Sequence, residues 1–272
     1  MVHILLQVRS VDFYVREAAN GSVPPSAEKL IVLPMRPAKP TGITAAYNVA
    51  GNIDKPYVTG ISETQEYSYM NQTSWQDGTG EPVVLTLPTS NSTLYVREKA
   101  TDTDFASSNY SMTIYTNPSV PSVSYSNATE LLSSVTAAME YDLGNGYVDG
   151  TGAAIDLSSL IDNLTSTKTI SIRKKVTETR PSSKIKTVTL YPRAAKPTGV
   201  AFNTATSTLT GFSSKLQYKI GEDGSWKTSS KSSIDLSSYV STTEDVNLYV
   251  RTKYTSTASS SKPIQFVIPK AV

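Results

Sequence analysis

The sequence predicts an all-β chain of tandem antiparallel β-sandwiches with about 78 residues in each repeat. Three observations predict this fold class: one short block recurs four times, its apolar residues alternate with polar ones, and turn dipeptides separate the apolar runs. Short strands with a turn about every 8 to 12 residues are typical of such sandwiches.

The block that recurs four times ends in arginine in every copy. Its copies are Phe13-Tyr14-Val15-Arg16, Leu94-Tyr95-Val96-Arg97, Ile170-Ser171-Ile172-Arg173 and Leu248-Tyr249-Val250-Arg251, and their arginines are 81, 76 and 78 residues apart. Two further blocks recur in the same order relative to it. The first is Ala38-Lys39-Pro40-Thr41-Gly42, which returns as Ala195-Lys196-Pro197-Thr198-Gly199. The second is a tyrosine strand followed by a loop with an aromatic residue, which is Trp75, Tyr147 or Trp226. Markers in one order at one spacing indicate copies of one structural unit.

Proline-rich segments separate these copies. Pro40, Pro121 and Pro197 fall at matched places, where proline restricts its own φ and the conformation of the residue before it. The sequence therefore predicts a partial repeat at 1–36, which holds only the second half of the pattern, and full β-sandwich repeats at 37–117, 118–193 and 194–272.

Each repeat is predicted to consist of strands. In Leu248-Tyr249-Val250-Arg251 the leucine and valine face one side and the tyrosine and arginine the other, as in a half-buried strand. Asp77-Gly78, Asn145-Gly146 and Asp223-Gly224 tolerate the positive φ of tight hairpin turns. Residues 130–139 could form a helix, but their register with the other repeats favours a strand.

Two absences in the composition exclude several kinds of site. The chain has no cysteine, and its one histidine is His3. A disulfide framework, a thiolate nucleophile and a Cys-rich zinc site are therefore excluded, and a Ser-His-Asp triad would depend on a residue beside the N-terminus. We expect no catalytic residues. A glycosidase with two carboxylates is the remaining enzymatic alternative, and carboxylates that differ from repeat to repeat count against it.

Net charge and hydropathy give no reason to expect nucleic acid or a membrane as a partner. A formal net charge of +2 gives no reason to expect nucleic acid as a partner. No apolar run approaches the roughly 18 residues of a membrane span, so we expect no membrane insertion. The first residues lack the layout of a signal peptide, and any export signal is expected to lie outside this chain.

The order of these blocks resembles that of the immunoglobulin-like and fibronectin type III-like repeats of large surface proteins of Gram-positive bacteria, including S-layer and cell-wall-attached proteins. The blocks that carry the resemblance are the proline-rich start, the tyrosine strand Glu66-Tyr67-Ser68, the loop with Trp75, Ile234-Asp235-Leu236-Ser237 and Leu248-Tyr249-Val250-Arg251. The resemblance covers nearly all of residues 11–272. It implies a non-catalytic extracellular role in structure or adhesion.

Three loop aromatics are the candidate binding residues. Trp75, Tyr147 and Trp226 follow polar loops, where an exposed ring could stack on a sugar. The alternative is that each ring covers one end of a core, which the replacement of Trp by Tyr147 in the middle repeat favours.

The tyrosines and arginines of the recurring block have two readings as well. Tyr95 and Tyr249 are expected to pack at a corner of the sandwich with their hydroxyls bonded to nearby backbone, rather than to bind a ligand. The four arginines are expected to be cross-strand partners on the outward face of their strand.

We expect no cofactor, with calcium as the one alternative. The loops Asp77-Gly78-Thr79-Gly80-Glu81 and Gly221-Glu222-Asp223-Gly224 supply oxygen ligands near turns. Neither loop has alternating acidic ligands that end in a bidentate glutamate.

The partial repeat is too short to bury a core of its own. Its apolar residues, which include Ile4-Leu5-Leu6, Phe13, Val15 and Ile31-Val32-Leu33, nevertheless need cover. The sequence leaves two readings: the chain is a piece of a longer protein, or residues 1–36 pair with strands of another molecule.

Taken with these observations, the resemblance implies a non-catalytic structural module array of a bacterial cell-surface protein, an S-layer or a cell-wall stalk or assembly segment. The expected location is extracellular, at the cell surface. The expected partners are further copies of the chain, as a lattice, a filament or by strand complementation, and a cell-wall polymer or host glycan. The alternative function is an adhesin or carbohydrate-binding array that uses the loop aromatics.

Overall fold

The computed structural model describes residues 10–271. The predictions for His3 and for Ile4-Leu5-Leu6 fall outside that range. The first described element is an antiparallel hairpin of β1 (Val11–Val15) and β2 (Lys29–Leu33). It carries the first copy of the recurring block, and most of its residues are exposed.

The first full repeat forms two antiparallel sheets. One sheet has the order β3-β4-β7, and the other has the order β6-β5-β8-β9. The strands are β3 (Thr44–Ala46), β4 (Tyr57–Thr59), β5 (Gln65–Tyr69), β6 (Gln76–Asp77), β7 (Val83–Val84), β8 (Ser92–Glu98) and β9 (Tyr110–Ile114).

The second repeat has the same strand order, β10-β11-β14 and β13-β12-β15-β16, with one short helix added. Its elements are β10 (Ser124–Tyr125), β11 (Leu131–Ser133), β12 (Met139–Asp142), β13 (Tyr147–Asp149), β14 (Ile155–Asp156), α1 (Ser158–Ile161), β15 (Lys168–Lys174) and β16 (Lys186–Leu190). The segment 130–139 thus contributes the strand β11 and the first residue of β12, and the strand prediction is confirmed.

The third repeat forms the sheets β17-β18-β20 and β19-β21-β22. Its strands are β17 (Ala201–Asn203), β18 (Thr208–Thr210), β19 (Leu216–Ile220), β20 (Ser233–Asp235), β21 (Val246–Thr252) and β22 (Ile264–Ile268), with a 3-10 turn at Ser237–Tyr239. A single bridge between Tyr218 and Lys227 takes the place of the fourth strand.

Each repeat has its own apolar core between its two sheets. In the third repeat Leu209 of β18 packs with Leu248 and Val250 of β21, and all three side chains are fully buried. The first and second repeats bury Val58 and Leu132 at the position of Leu209. The prediction of an all-β chain of antiparallel sandwiches is confirmed, and the repeats are immunoglobulin- or fibronectin type III-like in architecture.

Residue contacts divide the chain into two compact units. The first holds the described residues up to Ser119 together with Lys175–Lys184, and the second holds Val120–Lys174 and the residues from Ile185 onward. Segment 175–184 belongs to the second repeat in sequence but packs with the first unit. The division therefore does not test the sequence-based boundaries, which stay a prediction. No helix within residues 10–271 is long and apolar enough to cross a bilayer.

The backbone of the Pro-Thr-Gly block lies against a second pair of glycines. A Cβ on Gly211, whose φ is +71°, would lie 2.0 Å from the carbonyl oxygen of Gly199. Gly60, with φ +90°, meets the carbonyl oxygen of Gly42 in the same way at 2.5 Å. The second repeat keeps the positive φ at this position with Ser134, at 65°. The steric restriction therefore falls on Gly60 and Gly211. Gly42 and Gly199 have positive φ, at +77° and +72°, and no atom lies within 4 Å of an added Cβ.

We expect Gly211→Ala to destabilise the third repeat by about 3 kcal/mol or more, because the new Cβ combines backbone strain with a steric clash. Gly221→Ala is the matched control, since Gly221 has φ +69° and nothing lies within 4 Å of its added Cβ. Strain alone should cost about 1 kcal/mol there. Urea unfolding followed by Trp226 fluorescence, in a Trp75→Phe background, measures both, and equal losses would contradict the close approach.

Candidate functional site

The three candidate aromatics all stack on an arginine of the recurring block. The Arg97 guanidinium carbon lies 3.9 Å from the ring centroid of Trp75, and Arg251 lies 4.0 Å from that of Trp226. Arg173 lies 4.1 Å from the ring centroid of Tyr147. Such cation–π contacts stabilise a partly desolvated pair by about 1 kcal/mol. Each ring is half-buried.

The same arginines pair across the sheet with a residue of the tyrosine strand. Arg97 donates to Glu66 at 2.7 Å, and Arg173 donates to Glu140 at 2.6 Å. In the third repeat the partner is neutral, because Arg251 donates to Gln217 at 3.1 Å. Burial lowers the pKa of Arg251.

These contacts show which sequence blocks meet. The arginine block and the tyrosine block pair in register, as Glu66 with Arg97 and Gln217 with Arg251, and the loop aromatic folds onto the arginine. The prediction that these arginines are outward cross-strand partners is confirmed. The three aromatic residues lie in three different sandwiches, each beside its own arginine. Whether any of them binds a ligand stays a prediction.

The expected backbone hydrogen bond of a corner tyrosine is wrong for Tyr249, because its hydroxyl donates to the Glu222 carboxylate. Tyr95 lies opposite Ser68 and Ser111 in its sheet. A backbone bond of the expected kind is made by Tyr47, whose hydroxyl accepts from the backbone N–H of Tyr115 at 2.6 Å. Burial raises the pKa of the Tyr47 hydroxyl.

The loops considered for calcium use acidic side chains in other contacts. Asp77 accepts from the Lys99 ammonium at 3.0 Å, and Glu222 accepts from Tyr249. Within residues 10–271, no three His, Cys, Asp or Glu side chains form a group that could hold a metal ion.

A cluster of four charged side chains lies in the second unit. Arg193 makes a bidentate pair with Glu130, at 2.5 and 2.8 Å, and its Nε donates to Asp162 at 2.5 Å. Lys262 contacts the other oxygen of Asp162 at 3.1 Å. The side chains of Arg193 and Glu130 are only 19% and 10% exposed. We call these four residues the ion cluster; it lines a cavity of about 300 Å³ beside Arg251.

The ion cluster attaches a hairpin loop of the third repeat to the second repeat. Arg193 also donates to the backbone carbonyl of Ser260, at 3.0 Å. The amide of Asn127 donates to the carbonyl of Thr255, at 3.0 Å. The loop 253–263 is thus held through side-chain and backbone contacts, and its serines 259–261 are buried.

The chemistry of this cavity is that of an ion-pair network. Hydrogen bonds from Arg193, then from Lys262, lower the pKa of the Asp162 carboxyl. A glycosidase needs one carboxyl whose pKa is raised so that it can donate a proton. Both carboxylates here accept from Arg193, so their geometry suits attachment of the loop.

A comparable set of contacts lies in the first unit, around segment 175–184. Asp54 accepts from the backbone N–H and the hydroxyl of Ser182, at 2.6 and 2.9 Å. Tyr47 donates its backbone N–H to the carbonyl of Glu178 at 2.9 Å. The amide of Asn117 donates to the carbonyl of Ser182 at 2.9 Å, as Arg193 does to that of Ser260. Arg180 also stacks on Tyr115, 3.3 Å from the ring centroid.

Sequence reasoning missed both sets of contacts. Glu130, Asp162 and Arg193 belong to no block that recurs in all repeats, so periodicity does not single them out. The serines of the loops do recur, as Ser107, Ser183 and Ser261, each next to another serine. In a chain so rich in serine, that signal is visible only after the repeats are aligned.

Comparison with known proteins adds a likeness in structure. No family model matches this chain, and no curated protein matches it. Among solved structures, the chain is similar to the FN1–FN3 domains of chicken CNTN1, with 14% sequence identity, coverage of 86% of this chain and 100% of that chain, and a TM-score of 0.27. The strand order within each sandwich defines the fold independently of this likeness.

We expect Arg193→Met to release the loop 253–263, because it leaves Glu130 buried without its cation. Breaking a buried ion pair costs about 3 kcal/mol or more, which corresponds to at least about a 100-fold increase in amide exchange. The amide of Ser259, which donates to the carbonyl of Pro192, reports the change. Arg16→Met is the matched control, since Arg16 and Glu28 are both more than half exposed, and it should change exchange little.

The attachment of loop 253–263 should also weaken in acid. The folded-state pKa of Asp162 is lowered. The stability that its charged form contributes is therefore present above the unfolded-state pKa of about 4, and it is lost as the pH falls through the lower folded-state pKa. Glu130 faces the same cation, while Arg193, whose pKa is raised, stays charged throughout. Amide exchange of the loop against pH measures this, and Asp162→Asn should flatten the profile. Asp235→Asn is the control; its carboxyl pKa is also lowered, by hydrogen bonds from Ser237.

Proposed function

We propose that this chain is a non-catalytic structural module array of a bacterial cell-surface protein, an S-layer or a cell-wall stalk or assembly segment. The observation that carries the proposal is the attachment of the loop 253–263 to the second repeat through the ion cluster. Its charged side chains hold one module to the next, which is the requirement of a structural array.

The chemistry of the repeats supports the same proposal. Each repeat stabilises itself with its own buried core, and its outward arginine is engaged by an aromatic ring and a cross-strand partner. A near-neutral chain rich in serine and threonine presents hydroxyls to water without a strong field. Such a surface suits a chain that acts through its modules and their contacts.

A second candidate, an adhesin or carbohydrate-binding array, has one observation in its favour. Trp75, Tyr147 and Trp226 are only half-buried and recur at equivalent places. An arginine covers one face of each ring, so a sugar would have to stack on the opposite face. Because each ring already has a stabilising partner, we rank this candidate second.

The proposal predicts that the chain is accessible on intact cells of its source organism. Antibodies raised against the folded chain should label intact cells, and an external protease should remove the label before cytoplasmic markers are released. Retention of the protein inside intact cells would contradict the proposed location. Saturable glycan binding that Trp226→Ala abolishes and Trp226→Tyr retains would favour the second candidate.

A further inference from the structure

The hairpin loops that follow the recurring block share one backbone turn. In each loop, a backbone N–H donates to the carbonyl three residues later. The four pairs are Asn20 to Val23 at 3.1 Å, Thr101 to Asp104 at 2.9 Å, Thr177 to Arg180 at 2.9 Å and Thr255 to Ala258 at 2.9 Å. The partial repeat therefore forms the same turn as the complete repeats.

A serine in each loop also makes the same contacts. The hydroxyls of Ser26, Ser107 and Ser261 accept from the backbone N–H nine residues earlier, at 2.8, 2.9 and 2.8 Å. The hydroxyls of these serines and of Ser183 donate to the carbonyl of the next residue. Loop 16–28 is thus organised by its own hydrogen bonds into the shape of the other loops.

The loops differ in whether other segments of the chain contact them. Loops 175–184 and 253–263 are held by the side-chain and backbone contacts described above for each of them. In loop 99–109 the carbonyl of Ala106 accepts from Arg36 at 2.6 Å. Every residue of loop 16–28 is exposed. Its Pro25 takes the position of Ala106, Ser182 and Ser260, whose carbonyls each accept from a side chain.

The segment of the third repeat that corresponds to the loop-binding residues of the other repeats is exposed. The strand register places Thr204 at the position of Tyr47 and Asn127, the residues that donate to loops 175–184 and 253–263. Residues 203–206 are exposed, and the Asn203 side chain orders them by accepting from the backbone N–H groups of Ala205 and Thr206, at 3.0 and 3.2 Å.

We propose that loop 16–28 of one copy docks on the turn 203–207 of a second copy, head to tail. The two surfaces lie at the positions where loops 175–184 and 253–263 contact Tyr47 and Asn127. The turn offers hydroxyl and backbone donors, and the loop offers backbone carbonyls at the positions that accept in loops 175–184 and 253–263. This inference rests on the proposed assembly role and names the surfaces that would carry it.

The geometry of this contact has two physical consequences. Both surfaces are ordered before they meet, so docking loses little conformational entropy. The contact joins different surfaces of the two copies, so it is heterologous and propagates as an open chain of copies unless the rotation closes a ring.

The absence of native cysteine makes the docking directly testable by crosslinking. Full-length Ser22→Cys and Ala205→Cys proteins are mixed and treated with a short bismaleimide. We expect the mixed dimer to exceed both like dimers at least fivefold. Ser22→Cys mixed with Val148→Cys is the matched control, because Val148 is exposed and belongs to neither of the two docking surfaces.

A further variant tests whether the shape of the loop matters. Adding Ser26→Ala to Ser22→Cys removes the hydroxyl that orders the loop, and the mixed dimer should fall to the control level. Mixed dimers no more abundant than the control, or as abundant with Thr103→Cys in place of Ser22→Cys, would overturn the assignment of loop 16–28. Failed docking with antibody labelling of intact cells preserved would overturn this inference alone, whereas lost labelling would overturn the proposed function.

Discussion

The alternating burial of one strand in each repeat is the constraint on which the rest of the structure depends. Leu248 and Val250 are fully buried, so Tyr249 and Arg251 must face outward. Burying such side chains contributes roughly 1.5–3 kcal/mol each and fixes the strand register, because a slip by one residue would expose both. With the register fixed, the arginine lies beside its cross-strand partner, and the loop aromatic can cover it.

The polar contacts between modules build on these rigid sandwiches. The hairpin that contains the buried strand also contains the loop that follows it, 175–184 or 253–263. The core that orders the strands therefore positions this loop for attachment. Loop 253–263 is held by the ion pair of Lys262 with Asp162 and by the hydrogen bond from Arg193 to the loop backbone. Loop 175–184 is held by the Asp54 carboxylate, which accepts from Ser182. Different side chains thus serve one backbone arrangement.

Much of the fold could be predicted from sequence because its signals recur. The alternation in the arginine block acts within one strand and recurs in every repeat, and the Pro-Thr-Gly block recurs in the first and third full repeats. The ion cluster could not be predicted, since Glu130 and Arg193 are far apart along the chain and have no charged counterparts in every repeat. The expectation for Tyr249 failed for a related reason: its partner, Glu222, comes from a neighbouring loop that has its own sequence in each repeat.

The ion cluster has a consequence for how the chain unfolds. If the third repeat unfolds, loop 253–263 leaves the second repeat, and the cavity around Glu130 and Arg193 opens to water with Asp162 deprived of Lys262. The second repeat therefore loses stability when its neighbour is lost, and cooperativity is transmitted between adjacent modules as in a one-dimensional array. The second and third repeats therefore resist the loss of either one alone more than two independent domains would.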